Sequence, residues 1–335
     1  MRRPGRTRVI QYGLGPIGIE AAKRTMGSAT LELVGAVDTD PQKAGRDLSE
    51  ILGVERRTGM AVSDRPSKLF EEVHADIVVH TTTSFLRDVH GQIAEIVSSG
   101  INVVSSAEEL FYPRLKSPQL AKELDALATA KGVTVLGCGV NPGFVMDTLP
   151  LFATAVCAHV DSVSITRVVD ASTRRLPLQR KIGAGLDPED FRRRVAEGTL
   201  GHIGLVESLA FLADGLGWKR LEVHEEIRPM IAEREITTQY LRVKKGKVAG
   251  IKHTARGTRD GRVVIDLELR MHVGAQEPHD LILIEGQPRL ELRINGGIAG
   301  DVATVSTLVN YIPLVVEAQA GLVTTRDLPM PSILS

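Results

Sequence analysis

The stretch Arg8-Val9-Ile10-Gln11-Tyr12-Gly13-Leu14-Gly15-Pro16-Ile17-Gly18 decides the fold. Its first five residues read as a strand, and GLGPIG fits G-x-G-x-x-G at the point where that strand must turn into a helix. In this pattern Gly13 allows the tight turn, Gly15 lets the backbone approach a pyrophosphate, and Gly18 lets helix and strand pack closely. Pro16 opens the helix, and with Leu14 and Ile17 it completes a loop that sets phosphates at the positive helix end. Asp38 lies twenty residues beyond Gly18, at the end of the second strand. A carboxylate there accepts hydrogen bonds from both adenosine ribose hydroxyls and repels a 2′-phosphate, which favours NAD. Lys43 and Arg46 follow closely and can reach a phosphate if Asp38 turns away, so NADP use stays open. A strand-to-helix turn without a ligand is the competing reading; strand, helix and acidic residue all in place argue against it.

Outward from this turn, β-branched runs alternate with helical patterns as far as residue 140, with strands expected at 8–12, 31–38, 60–62, 76–80, 101–105 and 133–140. Such alternation means βαβ units and a parallel sheet. The clearest helix is SPQLAKELDALATAKG, where Ser117 can cap, Leu120, Leu124, Leu127 and Ala128 share a face, and Gly132 stops the chain. After Asn141 the pattern changes to two-residue alternation. In RVVIDLELRMHV the residues Val263, Ile265, Leu267, Leu269, Met271 and Val273 are expected on one face. Arg259-Asp260-Gly261 suits a hairpin turn from a preceding strand at 248–258, because Asp and Gly tolerate positive φ. The expected class is α/β: a Rossmann-type doubly wound parallel sheet, plus an α+β domain with a largely antiparallel sheet. Residues 1–145 form the dinucleotide-binding domain and 146–299 the substrate-binding and dimerisation domain. A final helix near 301–320, within 300–335, is expected to pack back on the first domain.

The chain has 335 residues, and 41 Lys plus Arg balance 41 Asp plus Glu, so no basic excess draws it to nucleic acid or anionic lipid. No apolar run reaches the length of a membrane-spanning helix, and the basic start leads into a strand rather than a signal peptide. Two cysteines make no disulfide framework. These features lead to an expected cytoplasmic location, with neither membrane nor nucleic acid as partner. Nine histidines without H-E-x-x-H or clustered Cys/His spacing give no metal site.

The polar residues at strand ends carry the chemistry. Thr81, Thr82 and Thr83 follow the fourth strand and read as lining the cofactor path, although they can equally cap the helix that begins near Arg87. Ser105-Ser106-Ala107-Glu108-Glu109 closes the fifth strand on the side of the nicotinamide half, which makes Glu108 the leading catalytic candidate and adds Ser106 to the cofactor set. A Glu pair near a helix start also reads as a solvated pair favouring the dipole. Asn141, in Gly139-Val140-Asn141-Pro142-Gly143, is assigned beside the nicotinamide. Phe144, Val145 and Met146 read as an apolar substrate wall or as interdomain packing. Cys138 reads as a thiol nucleophile or as a small core residue. His202 is expected to begin a helix running toward Trp218, either facing the substrate or making a local hydrogen bond.

With these motifs placed, the chain resembles the 2,4-diaminopentanoate dehydrogenase family and the related NAD(P)H-dependent amine dehydrogenases, which share the two-domain architecture of dihydrodipicolinate reductase. The resemblance covers nearly the whole length. It rests on GLGPIG, on SSAEEL with Glu108, on GVNPGFVMD, on GHIGLVESLAFLADGLGW, on GDVATVSTLVNYIP and on the ending GLVTTRDLPMP. Within those motifs and the adjoining strands, Asn310 joins the cofactor set, and Phe144, Val145, Val168, His202 and Thr307 form the substrate set. The dihydrodipicolinate reductases carry a His-His pair followed by Lys, and this sequence has no such dipeptide. The resemblance implies that Glu108 is the key acid/base group, that the protein is a homodimer built through the sheet of its second domain, and that NAD or NADP is the cofactor. The activity it implies is reversible reductive amination of a small ketone with ammonia. The alternatives are action on a diamino acid, carbonyl reduction without nitrogen, or a non-catalytic NAD(P)-sensing module. A diamino acid needs a cationic anchor, for which Arg167, Arg174 and Arg175 are candidates unless they are surface arginines.

Overall fold

In the computed structural model, which describes residues 5–334, β1 (Thr7–Tyr12) delivers the chain through the glycine turn into α1 (Pro16–Gly27). Val9 and Ile10 of the strand are fully buried, and a proline in the first helical turn gives up an N–H that has no helical partner anyway. The chain continues through β2 (Leu31–Val37), α2 (Leu48–Leu52), α3 (Pro66–Glu72), β3 (Ile77–His80), α4 (Leu86–Ser98), β4 (Asn102–Ser105), α5 (Pro118–Lys131) and β5 (Thr134–Gly137). The strand expected at 60–62 does not form. Two isolated bridges take its place, Val37 to Ser63 at the end of β2 and Asp47 to Ala61 at the start of α2. In α5, Ala121, Leu124 and Ala128 are buried and Gly132 ends the helix in the left-handed region at φ 69°. Ser117 stands at the N-cap, but its hydroxyl makes no cap bond.

The segment from Phe144 to Ile298 forms its own compact unit. It runs through α6 (Thr148–Ala153), β6 (His159–Asp170), α7 (Leu176–Lys181), α8 (Pro188–Ala196), α9 (Leu205–Gly215), β7 (Glu222–Ile231), the short pair β8 (Ile236–Thr237) and β9 (Arg242–Val243), then β10 (Val248–Arg259), β11 (Arg262–His272), β12 (His279–Gln287) and β13 (Leu290–Asn295). Six of these strands make one sheet in the order β13-β12-β6-β11-β10-β7. Only its β6–β11 pair is parallel. Asp260 and Gly261 both take positive φ, 52° and 74°, as a two-residue hairpin turn requires. One expectation for β11 fails. Gly257 pairs with Ile265 and Thr258 with Val263, which leaves Val264 as an extra, bulged residue. The bulge flips the start of the strand, so Val263 is 48% exposed and Val264 is buried.

From Ala299 onward the chain belongs to the first unit again. Helix α10 (Gly300–Glu317) buries Leu308, Val309, Tyr311, Ile312 and Val315 against Val9, Ile77, Val79, Val104 and Leu136. It ends three residues short of the expected limit, and β14 (Gly321–Val323) follows, pairing parallel with β5. The first sheet is therefore β14-β5-β4-β3-β1-β2, parallel throughout. Among the described residues no helix is long and apolar enough to cross a membrane.

Candidate active site

All strands of a parallel sheet end at one edge, and here the strand order reverses beside β1, where β2 lies on one side and β3 on the other. A crevice at that reversal is where open α/β sheets take ligands. The three motif glycines differ in what demands them. Gly13 has φ +90°, and a Cβ on it would stand 2.5 Å from the Thr81 carbonyl oxygen. A Cβ on Gly18 would stand 1.9 Å from the Gly13 carbonyl oxygen. Both glycines serve the protein's own packing. Gly15 has an ordinary φ of −72°, and a Cβ there would meet no atom within 4 Å. Neither backbone nor packing requires glycine at this position, which leaves a cradle that fits the close approach of a dinucleotide pyrophosphate.

The walls of the turn are turned inward. Leu14 is 1% exposed and packs with Ala22, Leu33, Ala36, Leu48, Leu52 and Val62. Its N–H donates to Asp38 Oδ2 at 2.7 Å. The Thr81 hydroxyl donates to the Gly13 carbonyl at 2.9 Å and accepts from Gln11 Nε2 at 2.8 Å, so Thr81 braces the turn from within the protein. Asp38 also accepts from the Asp40 N–H at 2.9 Å and from Lys43 Nζ at 3.0 Å. Burial acts to raise its pKa, but the Asp40 amide, the Lys43 ammonium and the Leu14 amide together outweigh burial and hold it below the ordinary value. Arg46 pairs with Glu50 at 3.0 Å and donates to the Gln42 carbonyl.

The Glu108 turn is built by close packing and by its neighbours' side chains. A Cβ on Gly137 would lie 2.4 Å from the Leu110 carbonyl carbon, so only glycine lets β5 approach the turn Glu108–Leu110. Glu109 donates its N–H to the Ser84 carbonyl, and its Oε2 accepts the Leu86 N–H at 2.9 Å. Glu109 thereby caps the first turn of α4, the role the sequence offered to the threonines. Glu108, Ser106 and Asn141 are half-buried at ends of adjacent strands, while Thr82 and Thr83 are exposed at the end of β3. The structure thus brings Gly15, Asp38, Thr82, Thr83, Ser106, Glu108 and Asn141 to the same sheet edge.

Other expected residues lie elsewhere. Asn310 sits against the last turn of α1, where its Oδ1 accepts from Arg24 at 3.2 Å and from the Leu334 N–H at 3.1 Å, away from the glycine turn. Thr307 donates within α10 to the Ala303 and Thr304 carbonyls. Thr304, one turn nearer the start of that helix, faces Gly139. Cys138 is buried in the α10 core, and burial pushes its thiol pKa up, as for a packing residue rather than a nucleophile. In the second unit, Val145 is fully buried, Val168 is 6% exposed on β6 and Phe144 is half-buried. His202 does not begin α9 but precedes it, in the turn that ends at Gly204 with φ 111°. Its ring meets that of His253 edge-on at 6.2 Å, and His253 Nε2 bonds Glu225 at 2.9 Å. Arg167 is 2% exposed, paired with Asp280 at 3.2 Å and donating to the Ile298 carbonyl at 2.6 Å, so it is neither a surface arginine nor an uncommitted anchor. Sequence reading passed over His80, Ser105, Gln92 and His253. A histidine closing an apolar strand was the one signal for His80.

A family model described as the 2,4-diaminopentanoate dehydrogenase C-terminal domain matches residues 144–335. The chain is 33% identical over 334 residues to the 2,4-diaminopentanoate dehydrogenase of Acetoanaerobium sticklandii, spanning 97% of this chain and 94% of that protein. It is 25% identical over 347 residues to an amine dehydrogenase of Streptomyces virginiae, spanning 96% of each. Among solved structures it is similar to the amine dehydrogenase from Mycobacterium smegmatis, with TM-score 0.86, 28% identity and 97% of both chains covered.

Proposed function

Because this chain belongs to the 2,4-diaminopentanoate dehydrogenase family and is an NAD(P)-dependent oxidoreductase acting on CH–NH2 groups, we propose that it catalyses reversible reductive amination of a small ketone with ammonia. The observation that carries this reading is the Glu108 turn, held at the same sheet edge as the Gly15 cradle by Gly137, Ser84 and the Glu109 cap. The bound dinucleotide supplies the hydride, or accepts it in the reverse direction. The Gly15 cradle would hold its pyrophosphate, in a turn that Gly13 and Gly18 shape by packing, and Asp38 would take the ribose, with its charge favouring NAD over the 2′-phosphate of NADP.

Glu108 removes a proton from ammonium and holds the ammonia beside the carbonyl carbon. Attack gives a carbinolamine, to whose leaving hydroxyl Glu108 returns that proton, and water departs. The carboxylate then faces the positive charge of the iminium, where a water-excluded site makes its attraction strongest. In reverse, Glu108 takes the proton from water as it attacks the iminium. The commitment of Arg167 to Asp280 and Ile298 supports a substrate without a carboxylate. The 33% identity to 2,4-diaminopentanoate dehydrogenase makes a diamino acid the second reading. A homodimer is proposed across the sheet face that carries the half-exposed Lys252, Glu268, Arg270, Leu281 and Leu283.

The test is NADH and NADPH consumption with 2-pentanone and with 2-amino-4-ketopentanoate, each with and without ammonium chloride. Ammonium-dependent oxidation with 2-pentanone is expected, faster with NADH. Turnover confined to the amino ketone assigns the diamino-acid reading. Oxidation that ignores ammonium, or cofactor binding without any oxidation, refutes reductive amination.

A further inference from the structure

One buried histidine ties the cofactor edge to the Glu108 turn. His80 ends β3 with 0% exposure, its ring edge-on to Tyr12 at 5.4 Å. Gln92, on α4, presents Oε1, which can only accept; it lies 2.8 Å from His80 Nε2 and receives the Thr82 hydroxyl at 2.9 Å. Thr82 Oγ1 also lies 3.1 Å from Nε2, and with its own proton given to Gln92 it too can only accept there, which places the ring proton on Nε2. Nδ1 is then a bare acceptor, and the Ser105 hydroxyl donates to it at 2.9 Å. Ser105 Oγ in turn accepts the Ala107 N–H at 3.2 Å. The bonds run in one direction, from the Ala107 amide through Ser105 and His80 to Gln92, with Thr82 touching both His80 Nε2 and Gln92. Burial, only partly offset by the Gln92 bond, lowers the imidazole pKa to about 4, so the ring stays neutral and the direction of the chain is fixed at neutral pH.

An apolar side chain of similar volume would fill this place without burying polar atoms that must then be matched. Both ring nitrogens are spent on side chains that meet the two loops, one carrying Thr82 and the other the residue before Glu108. We propose that His80 is a positioning residue, fixing the Ala107 amide and thereby the aim of Glu108, and linking that aim to Thr82. The inference rests on the reading of Glu108 as the acid/base group.

The test compares His80→Asn with His80→Gln, using 2-pentanone, or 2-amino-4-ketopentanoate if that is the carbonyl turned over, with ammonium chloride and NADH. The Asn carbonyl oxygen stands near the place of Nδ1 and can still accept from Ser105. The Gln amide reaches toward Nε2, where it meets Gln92 and Thr82 and leaves Ser105 without its acceptor. His80→Gln is expected to lower kcat by roughly tenfold to a hundredfold with little change in KM for NADH, the scale of a misaimed catalytic group. His80→Asn is expected to recover most of that loss. Ser105→Ala, which leaves the ring in place, is expected to reproduce the loss and keeps the question answerable if His80→Gln does not fold. In a Glu108→Gln background, His80→Gln should lower the residual rate no further, because both changes act through one group.

Equal kcat in the two His80 variants, an unchanged kcat in Ser105→Ala, or a full further loss in the Glu108→Gln background overturns the inference. If Glu108→Gln alone loses turnover while His80→Gln keeps its kcat, the inference fails and the Glu108 reading stands. Near-normal turnover in Glu108→Gln brings down both.

Discussion

Gly15 and Gly18 are chemically the same residue with opposite reasons for being there, and that contrast is measurable. Gly15→Ala adds a methyl where no protein atom lies within 4 Å, so its thermal midpoint should match the parent while its Kd for NADH rises by about tenfold or more. Gly18→Ala drives a methyl to 1.9 Å from the Gly13 carbonyl and should cost several kcal/mol, roughly the scale of severe overpacking or beyond. Thermal shift with and without NADH separates the two; a destabilised Gly15→Ala with unchanged NADH affinity would contradict the cradle. The neighbouring glutamates divide in the same manner. Glu109→Ala removes the carboxylate that accepts the Leu86 N–H and should lower unfolding free energy by about 1 kcal/mol, as lost caps do, which urea denaturation reads. Its loss of turnover should be smaller than that of Glu108→Ala.

At the scale of elements, what was legible in the sequence was what neighbouring residues decide among themselves. The turn at Asp260 and Gly261 could be read because both must take positive φ, and the glycine turn after β1 because its spacing is local. The bulge at Val264 could not, since register is set by the pairing partner, and here Gly257 on β10 decides which valine points inward. Strand β14 has three residues, too few for alternation to show, and it becomes a strand only because β5 offers an edge. The same division runs through the site. Asp38 and Glu108 announce themselves at strand ends, whereas the chain from Ala107 to Gln92 joins two strands and a helix and is visible only after folding. Helix α10 illustrates how much rests on such nonlocal packing. Leu308 is fully buried in the core that covers Val9, Ile77 and Leu136, so Leu308→Ala should destabilise by about 2–5 kcal/mol in urea, although it lies far along the chain from the strands it supports.

The whole molecule carries the consequences of burying a neutral imidazole. The pKa of His80 is about 4 in the fold against about 6.5 when unfolded, so between these values the unfolded chain binds a proton that the folded chain refuses. This contribution to stability is complete above about pH 6.5 and is lost as pH falls toward about 4. His80→Phe should flatten that part of the stability curve, followed as the urea midpoint from about pH 7 down to about pH 4.5. A variant curve parallel to the parent would mean that His80 titrates in the fold as it does in the open chain.

Two compact units, one bearing the cradle and the proposed acid/base group, become an amine dehydrogenase only if Glu108 handles the proton of ammonia. The measurement that tests this most directly is ammonium-dependent NADH oxidation by Glu108→Gln beside the parent protein, with NADH affinity determined on the same samples. The account predicts that turnover falls by roughly 10²–10⁴-fold, the range for loss of a general acid/base group, while the Kd for NADH stays within about threefold. Near-normal ammonium-dependent turnover in Glu108→Gln would contradict it.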